Sequence, residues 1–499
     1  MSNSISTAVT KFKEFIAKTT YEEKPHQVEG VKWCITKEID PMHPPNHPRG
    51  GLIADEMGLG KTILMLGLII SNFVPKTLIV LPLVLLDQWK KTIMAKFGHR
   101  PYIYHGKQAK DETGKLGEAA IVLTTYGMLL PTSKDIYDDL ATPLHAIKWG
   151  RIIYDEAHHM KSSKSKIHNS ALHLQGDHKW LITGTPVQNK IKDLHSLCAI
   201  MGFERKFYNN KEGLCEIVNN YILKRTKTEV GINLPELIEE QICVEWGTQE
   251  EEIKARRIHA ELAFANTRST NTKQLNMEKL ALIIKARQMC ILPYLTGDLV
   301  EVQDPDQGQG PDQGQCPDQD QDPPHEILPP PASKSKLTSV VNHIIAQNAK
   351  SLSTSRIIFC HYRGEIDEIR RQLVKEGNQV DVIDGRTSQS IRNELLNNCS
   401  PSPSSTLILQ IQTGCEGLNL QQYNEIYFVS PHWNPSVEDQ AVARCHRIGQ
   451  TRQVNVFKFY MQGFQEETSC SLDMYAAMCQ NTKREIADSV MMPKQLVDI

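Results

Sequence analysis

The chain has 499 residues, of which 40% are hydrophobic and 23% charged, a profile typical of a globular protein too long for one ordinary core. Lys and Arg total 56 and Asp and Glu total 58, which gives a formal net charge of -2. This balance excludes a protein that binds nucleic acid through overall positive charge, so any contact with phosphate must come from a local basic surface.

Nothing in the sequence indicates secretion or a membrane. The first residues, MSNSISTAVTKFKEF, lack the basic-then-apolar pattern of a signal peptide. The longest nearly apolar run, Ile63 to Val74, is too short to span a bilayer. The 12 cysteines are scattered with no pair separated by two residues, which favours reduced thiols. We therefore expect a soluble intracellular protein with no membrane partner and no zinc site.

The first half of the chain alternates two kinds of segment. Residues 1–23 are predicted to be an N-terminal extension. Over residues 24–204, short apolar runs such as TLIVLP, AAIVLTTY and RIIYDE are separated by amphipathic stretches. The runs predict buried strands and the stretches predict helices. Alternation of this kind indicates an α/β lobe with a parallel sheet covered on both faces by helices.

The rest of the chain divides into four parts. Residues 205–302 hold charged stretches such as QEEEIKARRIHAELAFA without strand rhythm, which predicts a helical insert on the first lobe. Residues 303–335 are rich in Gln, Asp, Pro and Gly, a composition that predicts a disordered linker. The α/β alternation resumes over residues 336–470 and predicts a second lobe. Residues 471–499 are predicted to form a C-terminal helical tail.

A glycine-rich turn follows the first predicted strand, in GGLIADEMGLGKT. Gly58 and Gly60 allow the backbone to wrap around phosphate oxygens, and the N-terminus of the next helix favours an anion. Lys61 would reach the β- and γ-phosphates of ATP, and the Thr62 hydroxyl would ligate Mg²⁺. The full pattern has glycine six residues before the lysine, where this chain has Asp55. The turn alone therefore also fits an ordinary glycine-rich loop.

An acidic pair lies in RIIYDEAHH, where Asp155 and Glu156 end a predicted buried strand. Ligand chemistry gathers at this edge of a parallel sheet. Asp155 suits Mg²⁺, directly or through water, and Glu156 suits activation of the attacking water. The alternative is an acidic pair that caps the next helix. His158 and His159 do not indicate zinc, because adjacent histidines are expected to face different ways and no third ligand stands at suitable spacing.

A series of segments in fixed order resembles the SNF2 family of DNA translocases, within helicase superfamily 2. In the first half these segments are KPHQVEGVKW, DEMGLGKT, LPLVLLDQW, VLTTYG, YDEAH and LITGTPVQN. In the second half they are RIIFCHYRGEIDEI, TGCEGLNL and SPHWNPSVEDQAVARCHRIGQ. The resemblance runs from about Lys24 to Tyr460. It implies two RecA-like lobes, with ATP hydrolysed in the cleft between them.

The resemblance also implies roles for individual residues. Gln27 is placed to read adenine, Asp55 belongs to the family's form of the phosphate loop, and Cys415 replaces the second of two consecutive family glycines. The implied catalytic residues are Lys61, Glu156, Arg444 and Arg447. The implied ATP-binding residues are Gln27, Asp55, Glu56, Met57, Gly58, Leu59, Gly60, Lys61 and Thr62. The implied Mg²⁺ ligands are Thr62 and Asp155.

Arg444 and Arg447 fall where the family carries its arginine fingers. They lie three residues apart on a predicted helix from Ser436 to His446, or just past its end, and would share one face. Such a fork matches the oxygens of a γ-phosphate. The alternative is that both arginines pair at the surface with Glu438 or Asp439.

Double-stranded DNA is the track that the resemblance implies, bound through phosphates with little sequence preference. The candidate nucleic-acid contacts are Thr125, Lys161, Lys164, Lys166, Thr185, Lys224, Arg225, Lys227 and Asn419. For each lysine or arginine, a solvated surface position is an equal alternative. Motors of this family also act on DNA-bound proteins or nucleosomes in remodelling, repair or transcription. The expected location is the nucleus or a viral replication compartment.

Two rival interpretations remain open at this point. An RNA helicase of the same superfamily would also carry DEAH, although GLNL, HRIGQ and LPLVLLDQW favour the SNF2 family. A scaffold without turnover is the second rival. The presence of Lys61, Thr62, Asp155 and Glu156, together with both arginines, argues against it.

Overall fold

A computed structural model of the chain describes most of the backbone. The described residues are 2–19, 22–44, 47–106, 113–131, 142–267, 274–293, 335–350, 354–397, 405–414, 418–464 and 470–491. The predicted linker at 303–335 lies outside the described residues except for Ser335, and Cys415 lies outside them as well.

Seven strands organise the first half of the chain. They are β1 (Gly50–Ile53), β2 (Thr77–Leu81), β3 (Tyr102–Tyr104), β4 (Ile121–Thr125), β5 (Trp149–Asp155), β6 (Gly176–Ile182) and β7 (Ile222–Leu223). All pair in parallel, in the order β3-β4-β2-β5-β6-β1-β7. Successive residues enter cores on opposite faces, as Leu78 and Ile79 do on β2. We call this sheet and its helices the first lobe.

The helices of the first lobe cover both faces of its sheet. They are α1 (Ser2–Ala17), α2 (Pro25–Ile39), α3 (Lys61–Ser71), α4 (Leu83–Phe97), α5 (Thr113–Leu116), α6 (Lys166–His173), α7 (Ile191–Met201), α8 (Arg205–Tyr208) and α9 (Lys211–Tyr221). Short 3-10 turns lie at Tyr126–Leu129 and Ala157–Met160. Helix α1 packs on α3, where a Cβ at Gly67 would lie 2.5 Å from the Phe12 ring, so the N-terminal segment is part of this core.

Six strands organise the second half. They are β8 (Leu237–Val244), β9 (Arg356–Cys360), β10 (Val380–Ile383), β11 (Thr406–Gln410), β12 (Glu425–Phe428) and β13 (Val454–Met461). They form a parallel sheet in the order β10-β11-β9-β12-β13-β8. The associated helices are α10 (Gln249–Thr267), α11 (Gln274–Ile291), α12 (Ser335–Lys350), α13 (Arg363–Lys375), α14 (Gln389–Asn397), α15 (Ile411–Gly414), α16 (Pro435–Cys445) and α17 (Leu472–Met491). We call this sheet and its helices the second lobe. The predicted class, two α/β lobes with parallel sheets, is confirmed.

The region from 205 to 302 differs from the helical insert on the first lobe that the sequence predicted. Strand β7 joins the first sheet, but β8 pairs along its whole length with β13 of the second sheet. Helices α10 and α11 contribute Ala255 and Met289 to the core of the second lobe. Strand β8 escaped prediction because it is a largely exposed edge strand and carries no buried apolar run.

Helix α17 connects the two lobes. Its first residue, Leu472, lies in the core of the second lobe, whereas Val490 and Met491 at its other end lie in a core of the first. The predicted tail is therefore a packed helix as far as Met491. Among the described helices, none combines the length and apolar character needed to cross a membrane.

Candidate active site

The phosphate loop connects β1 to α3 in a left-handed conformation that suits glycine. Gly58 has φ +93° and Gly60, which precedes the first residue of α3, has φ +81°. A Cβ on Gly60 would lie 2.4 Å from Gln27 Nε2. The ring Nε2 of His26 and the amide of Gln27 contact the Leu59 carbonyl oxygen at 3.1 and 3.3 Å. The start of α2 therefore braces the loop, a role for His26 that the sequence did not suggest.

Lys61 begins α3 and turns its ammonium back into the loop. Its Nζ donates to the carbonyl oxygens of Asp55 at 2.8 Å and Glu56 at 3.3 Å. Burial lowers the pKa of Lys61, and the negative charges of Glu156, Asp55 and Asp155 oppose that shift. The half-buried amine thus feels the negative charges of three carboxylates, next to the half-buried Thr62 in the first turn of the helix.

Asp55 and Arg225 form a bidentate ion pair that the sequence did not predict. Arg225 Nε and Nη2 donate to the two Asp55 carboxylate oxygens at 3.0 and 2.5 Å, and Nη1 donates to the His26 carbonyl oxygen at 2.5 Å. Asp55 is buried. Its carboxylate therefore anchors the base of the phosphate loop. This contact gives a structural reason for aspartate at position 55, where the full phosphate-loop pattern has glycine. The expectation that Arg225 contacts nucleic acid is at odds with this geometry, because Asp55 and His26 engage its guanidinium.

The acidic pair lies at the carboxyl end of β5. The Asp155 carboxylate accepts from Trp89 Nε1 at 2.8 Å and from Glu156 N at 3.0 Å. Tyr126 donates its hydroxyl to the Asp155 carbonyl oxygen at 2.7 Å. Burial and the neighbouring Glu156 charge raise the pKa of Asp155. Trp89, within LPLVLLDQW, orients this carboxylate, although the segment itself gave no sign of that contact.

Glu156 lies between the cation Arg444 and the ionisable side chain of His158. Its φ of +50° is unusual for a residue other than glycine. Burial raises the pKa of Glu156, but the hydrogen bond from His158 and the charges of Arg444 and Lys61 outweigh burial and lower it overall. His158 Nδ1 lies 3.3 Å from Glu156 Oε2, and Arg444 Nη2 lies 4.0 Å from Oε1. The geometry favours an ionised carboxylate able to accept a proton.

The expectation that the adjacent His158 and His159 face different ways is wrong. Their rings stack with centroids 4.8 Å apart and planes 23° apart, because both residues lie in the 3-10 turn after Glu156. His158 Nδ1 also lies 3.2 Å from Thr183 Oγ1. His158 therefore lies against both Glu156 of the acidic pair and Thr183, which follows β6.

The two arginines of the second lobe face the phosphate loop. Arg444 lies in the last turn of α16 and Arg447 just beyond it. A Cβ on Gly58 would lie 3.4 Å from Arg447 Cβ. Burial, and then the charge of Arg444, lower the pKa of Arg447. The alternative was that the two arginines pair with Glu438 or Asp439 at the surface. Those carboxylates have other partners, since Asp439 pairs with Arg484 at 2.9 Å and Glu438 accepts from the backbone N–H of His432 at 2.7 Å.

The remaining nucleic-acid candidates divide between buried and exposed positions. Thr125 is buried at the end of β4, with its hydroxyl 3.2 Å from His105 Nδ1. Thr185 is partly exposed in the cleft and accepts from Gln188 Nε2 at 3.2 Å. Lys224 and Asn419 are exposed.

Lys161 is half-buried and takes part in a contact between the lobes. Its ammonium donates to Gln188 Oε1, and the same oxygen accepts from Asn434 Nδ2 of the second lobe at 3.1 Å. Burial lowers the pKa of Lys161, with the Asp193 carboxylate opposing that shift. A phosphate contact by Lys161 would have to coexist with this hydrogen bond.

These residues fit a magnesium-bound nucleoside triphosphate. Two left-handed glycines and a helix N-terminus form a cradle for phosphate. Thr62 and Asp155 offer hard oxygen atoms of the kind that Mg²⁺ prefers. Lys61, Arg444 and Arg447 bring three cations around the same point, and Glu156 is a base beside them. The arrangement is suited to transfer of a phosphoryl group to water.

Comparison with known proteins extends this picture over most of the chain. A model of the SNF2-related domain matches residues 26–295, and a model of the helicase conserved C-terminal domain matches residues 335–449. The chain is 28% identical to the probable global transactivator of Orgyia pseudotsugata multicapsid polyhedrosis virus, covering 93% of this chain and 90% of that protein. It is 27% identical to the chromatin structure-remodeling complex protein SYD of Arabidopsis thaliana, covering 87% of this chain but 12% of SYD. A solved SWI2/SNF2 ATPase core of Sulfolobus solfataricus with dsDNA is 24% identical over 95% of each chain, with a TM-score of 0.39.

Proposed function

Since the chain belongs to the SNF2-related family, as its match over residues 26–295 shows, we propose that it is a DNA-dependent ATPase that translocates along double-stranded DNA. The observation that carries the proposal is the meeting of two distant parts of the chain. Arg444 lies 4.0 Å from Glu156, and Arg447 lies against Gly58 of the phosphate loop. ATP hydrolysis would then require both lobes.

Each residue at the site has a distinct task in this proposal. The phosphate loop and Lys61 hold the β- and γ-phosphates, and Thr62 and Asp155 would hold Mg²⁺, which neutralises phosphate charge when bound. Trp89 fixes the orientation of the Asp155 carboxylate. Glu156 orients the attacking water and takes its proton.

The arginines act when charge builds up on the transferred group. A guanidinium offers a planar fork of N–H donors, so Arg444 and Arg447 can each match two phosphoryl oxygens. Closure of the lobes on DNA would bring both arginines to their working positions and couple the track to turnover.

We assign the track to duplex DNA, with Thr125, Lys161, Thr185, Lys224 and Asn419 as candidate contacts along it. Phosphate contacts of this kind position a protein without specifying sequence, and their strength falls steeply with salt. The motor would act on DNA-bound proteins or chromatin in remodelling, repair or transcription, in a nucleus or a viral replication compartment.

Four parallel ATPase assays test the proposal, with no nucleic acid, duplex DNA, single-stranded DNA and RNA. We expect duplex DNA to stimulate turnover most, and stimulation to fall as salt rises. Greatest stimulation by RNA would favour an RNA helicase, and absence of turnover under all four conditions would favour a scaffold. Displacement of a triplex strand without unwinding of a forked duplex would distinguish translocation from strand separation.

A further inference from the structure

The connection between the lobes begins on the phosphate loop itself. We call residues 222–237 the strap. Beyond β7, its backbone continues beside the loop, because Ala54 N donates to Leu223 O at 2.7 Å and Glu56 N donates to Arg225 O at 2.9 Å. The strap ends where β8 begins in the second sheet. The loop and the second lobe are therefore joined by a short, hydrogen-bonded path.

Lys227, in the strap, contacts both lobes with one side chain. Its backbone N–H donates to Glu56 Oε2 at 2.8 Å, and its Nζ lies 2.9 Å from Glu56 Oε1. The same Nζ donates to the His446 carbonyl oxygen at 3.3 Å. Only 12% of the Lys227 side chain is exposed. Its ammonium thus bridges a phosphate-loop carboxylate and the end of α16.

His446 is held by the strap at two points. It caps the C-terminus of α16 and lies between Arg444 and Arg447 in the chain. Its carbonyl oxygen accepts from Lys227, and its ring Nε2, 2.8 Å from the Pro235 carbonyl oxygen, is the donor there. His446, which directly precedes Arg447, is therefore fixed relative to the strap.

Packing alone does not set the spacing between the strap and α16. A cavity of about 670 Å³ lies between them, and its walls include Met57, Thr185, Leu234 and Val442. Next to this space, a Cβ on Gly58 would lie 3.4 Å from Arg447 Cβ and 3.6 Å from Lys227 Cε. Beside this space, the polar contacts of His446 tie this end of α16 to the strap.

We propose that Lys227 is a positioning residue for ATP hydrolysis, and that its bridge from Glu56 to His446 holds Arg444 and Arg447 in register with the phosphate loop. The inference rests on the proposed function, because it assumes that the arginines act on the γ-phosphate. Small displacements of a catalytic group are costly. Lys227 acts through the arginines rather than on the substrate.

The full-length chain carrying Lys227→Met tests this proposal, since methionine keeps the length of the side chain and removes the ammonium. With duplex DNA we expect kcat to fall on the order of ten- to a hundredfold, while the KM for ATP changes less than about threefold. Lys227→Arg should restore most of the turnover. Lys206→Met is the matched control, because Lys206 forms an exposed pair with Glu204 at 2.7 Å on the first lobe and should leave kcat unchanged.

A double-mutant cycle with Arg447→Lys separates positioning from a merely structural role. If Lys227 places both arginines, Lys227→Met should lower kcat by a smaller factor in the Arg447→Lys background than in the unmodified chain, because only Arg444 is then left to be displaced. A loss in the double variant equal to the product of the two single losses would overturn the proposal, as would wild-type kcat in Lys227→Met.

Two further results keep the test decisive. Melting curves report whether Lys227→Met is folded. If it is not, Lys227→Gln, which keeps a polar side chain but removes the ammonium, tests the same bridge and should lower kcat in the same way. Wild-type kcat in folded Lys227→Gln would then overturn the proposal. Absence of turnover in the unmodified chain would instead overturn the proposed function, and the positioning role with it.

Discussion

The two lobes share a parallel sheet but differ in the polar groups at its carboxyl edge. In the first lobe that edge carries Lys61, Asp155 and Glu156, whose charges act on one another across the phosphate loop. At the corresponding edge of the second lobe, one oxygen of the buried Glu365 carboxylate accepts the backbone N–H groups of His361 at 2.8 Å and Tyr362 at 3.0 Å. The carboxylates of the first edge therefore interact with a cation at the phosphate loop, whereas Glu365 fixes the backbone at the start of α13.

Two lysines, one in each lobe, show the same contrast. Lys61 donates to backbone carbonyl oxygens of its own loop. Lys336 of the second lobe pairs with Asp473 at the start of α17 and donates to Ser430 Oγ at 2.8 Å. Lys61 can exchange its loop carbonyls for phosphate, whereas moving Lys336 would leave the Asp473 carboxylate buried and unpaired. In the proposed function, the first lobe therefore holds the substrate, while the second contributes through the end of α16.

Lys61→Ala should have the largest effect, because it removes the cation that balances the β- and γ-phosphates. We expect DNA-stimulated turnover to fall on the order of 10³-fold. Lys148→Ala is the control, since Lys148 forms an exposed pair with Asp177 at 2.8 Å and should change little. Phosphate release measures both variants. Normal turnover in folded Lys61→Ala would remove the first lobe's edge from the mechanism.

Glu156→Gln separates nucleotide binding from chemistry within the first lobe. The amide is nearly isosteric but cannot take a proton, so turnover should fall on the order of 10²- to 10³-fold. ATP binding, followed with a fluorescent nucleotide, should persist. If affinity collapses together with turnover, Glu156 has a binding or structural role instead.

The fold followed well from sequence where the pattern is local. Central strands such as β2 and β4 are buried at every residue, and runs of that kind are recognisable without a partner. The phosphate loop and the acidic pair could be located for the same reason. They follow β1 and β5, two strands on either side of β6, and the edge where they meet follows from parallel pairing.

Contacts across long separations could not be predicted. Asp55 and Arg225 are 170 residues apart in sequence, and no spacing rule links a loop aspartate to an arginine in the strap. Trp89 and Asp155 are joined across 66 residues, so the tryptophan gave no sign of its carboxylate partner. Edge strand β8 lacks a buried face. In each case tertiary pairing, rather than local pattern, decides the outcome.

Arg447→Lys tests the contribution of the second lobe to hydrolysis. Lysine keeps the charge and loses the fork, so we expect turnover to fall about 10²-fold, part of the roughly 10³–10⁵ that an arginine finger contributes. Arg444→Lys should behave similarly, and both variants should still bind ATP and DNA. Arg484→Lys serves as control, because Arg484 pairs with Asp439 on the outer side of α16. Wild-type rates in both Arg447→Lys and Arg444→Lys would show that hydrolysis does not need the second lobe's arginines.

The smallest effect should come from deleting residues 303–331. Their composition offers almost no apolar surface that could join a core. The flanking helices α11 and α12 contact each other, and residues 294–302 and 332–334 would remain to join them. Loop-closure entropy changes only slowly with length, so a shorter connection should alter stability by about 1 kcal/mol or less. Neither lobe's edge is touched by this change. We therefore expect the melting temperature and DNA-stimulated ATPase rate to stay near those of the full chain. A folded deletion variant that keeps basal turnover but loses stimulation by duplex DNA would contradict this prediction. It would show that residues 303–331, and not the two lobes alone, control ATP hydrolysis.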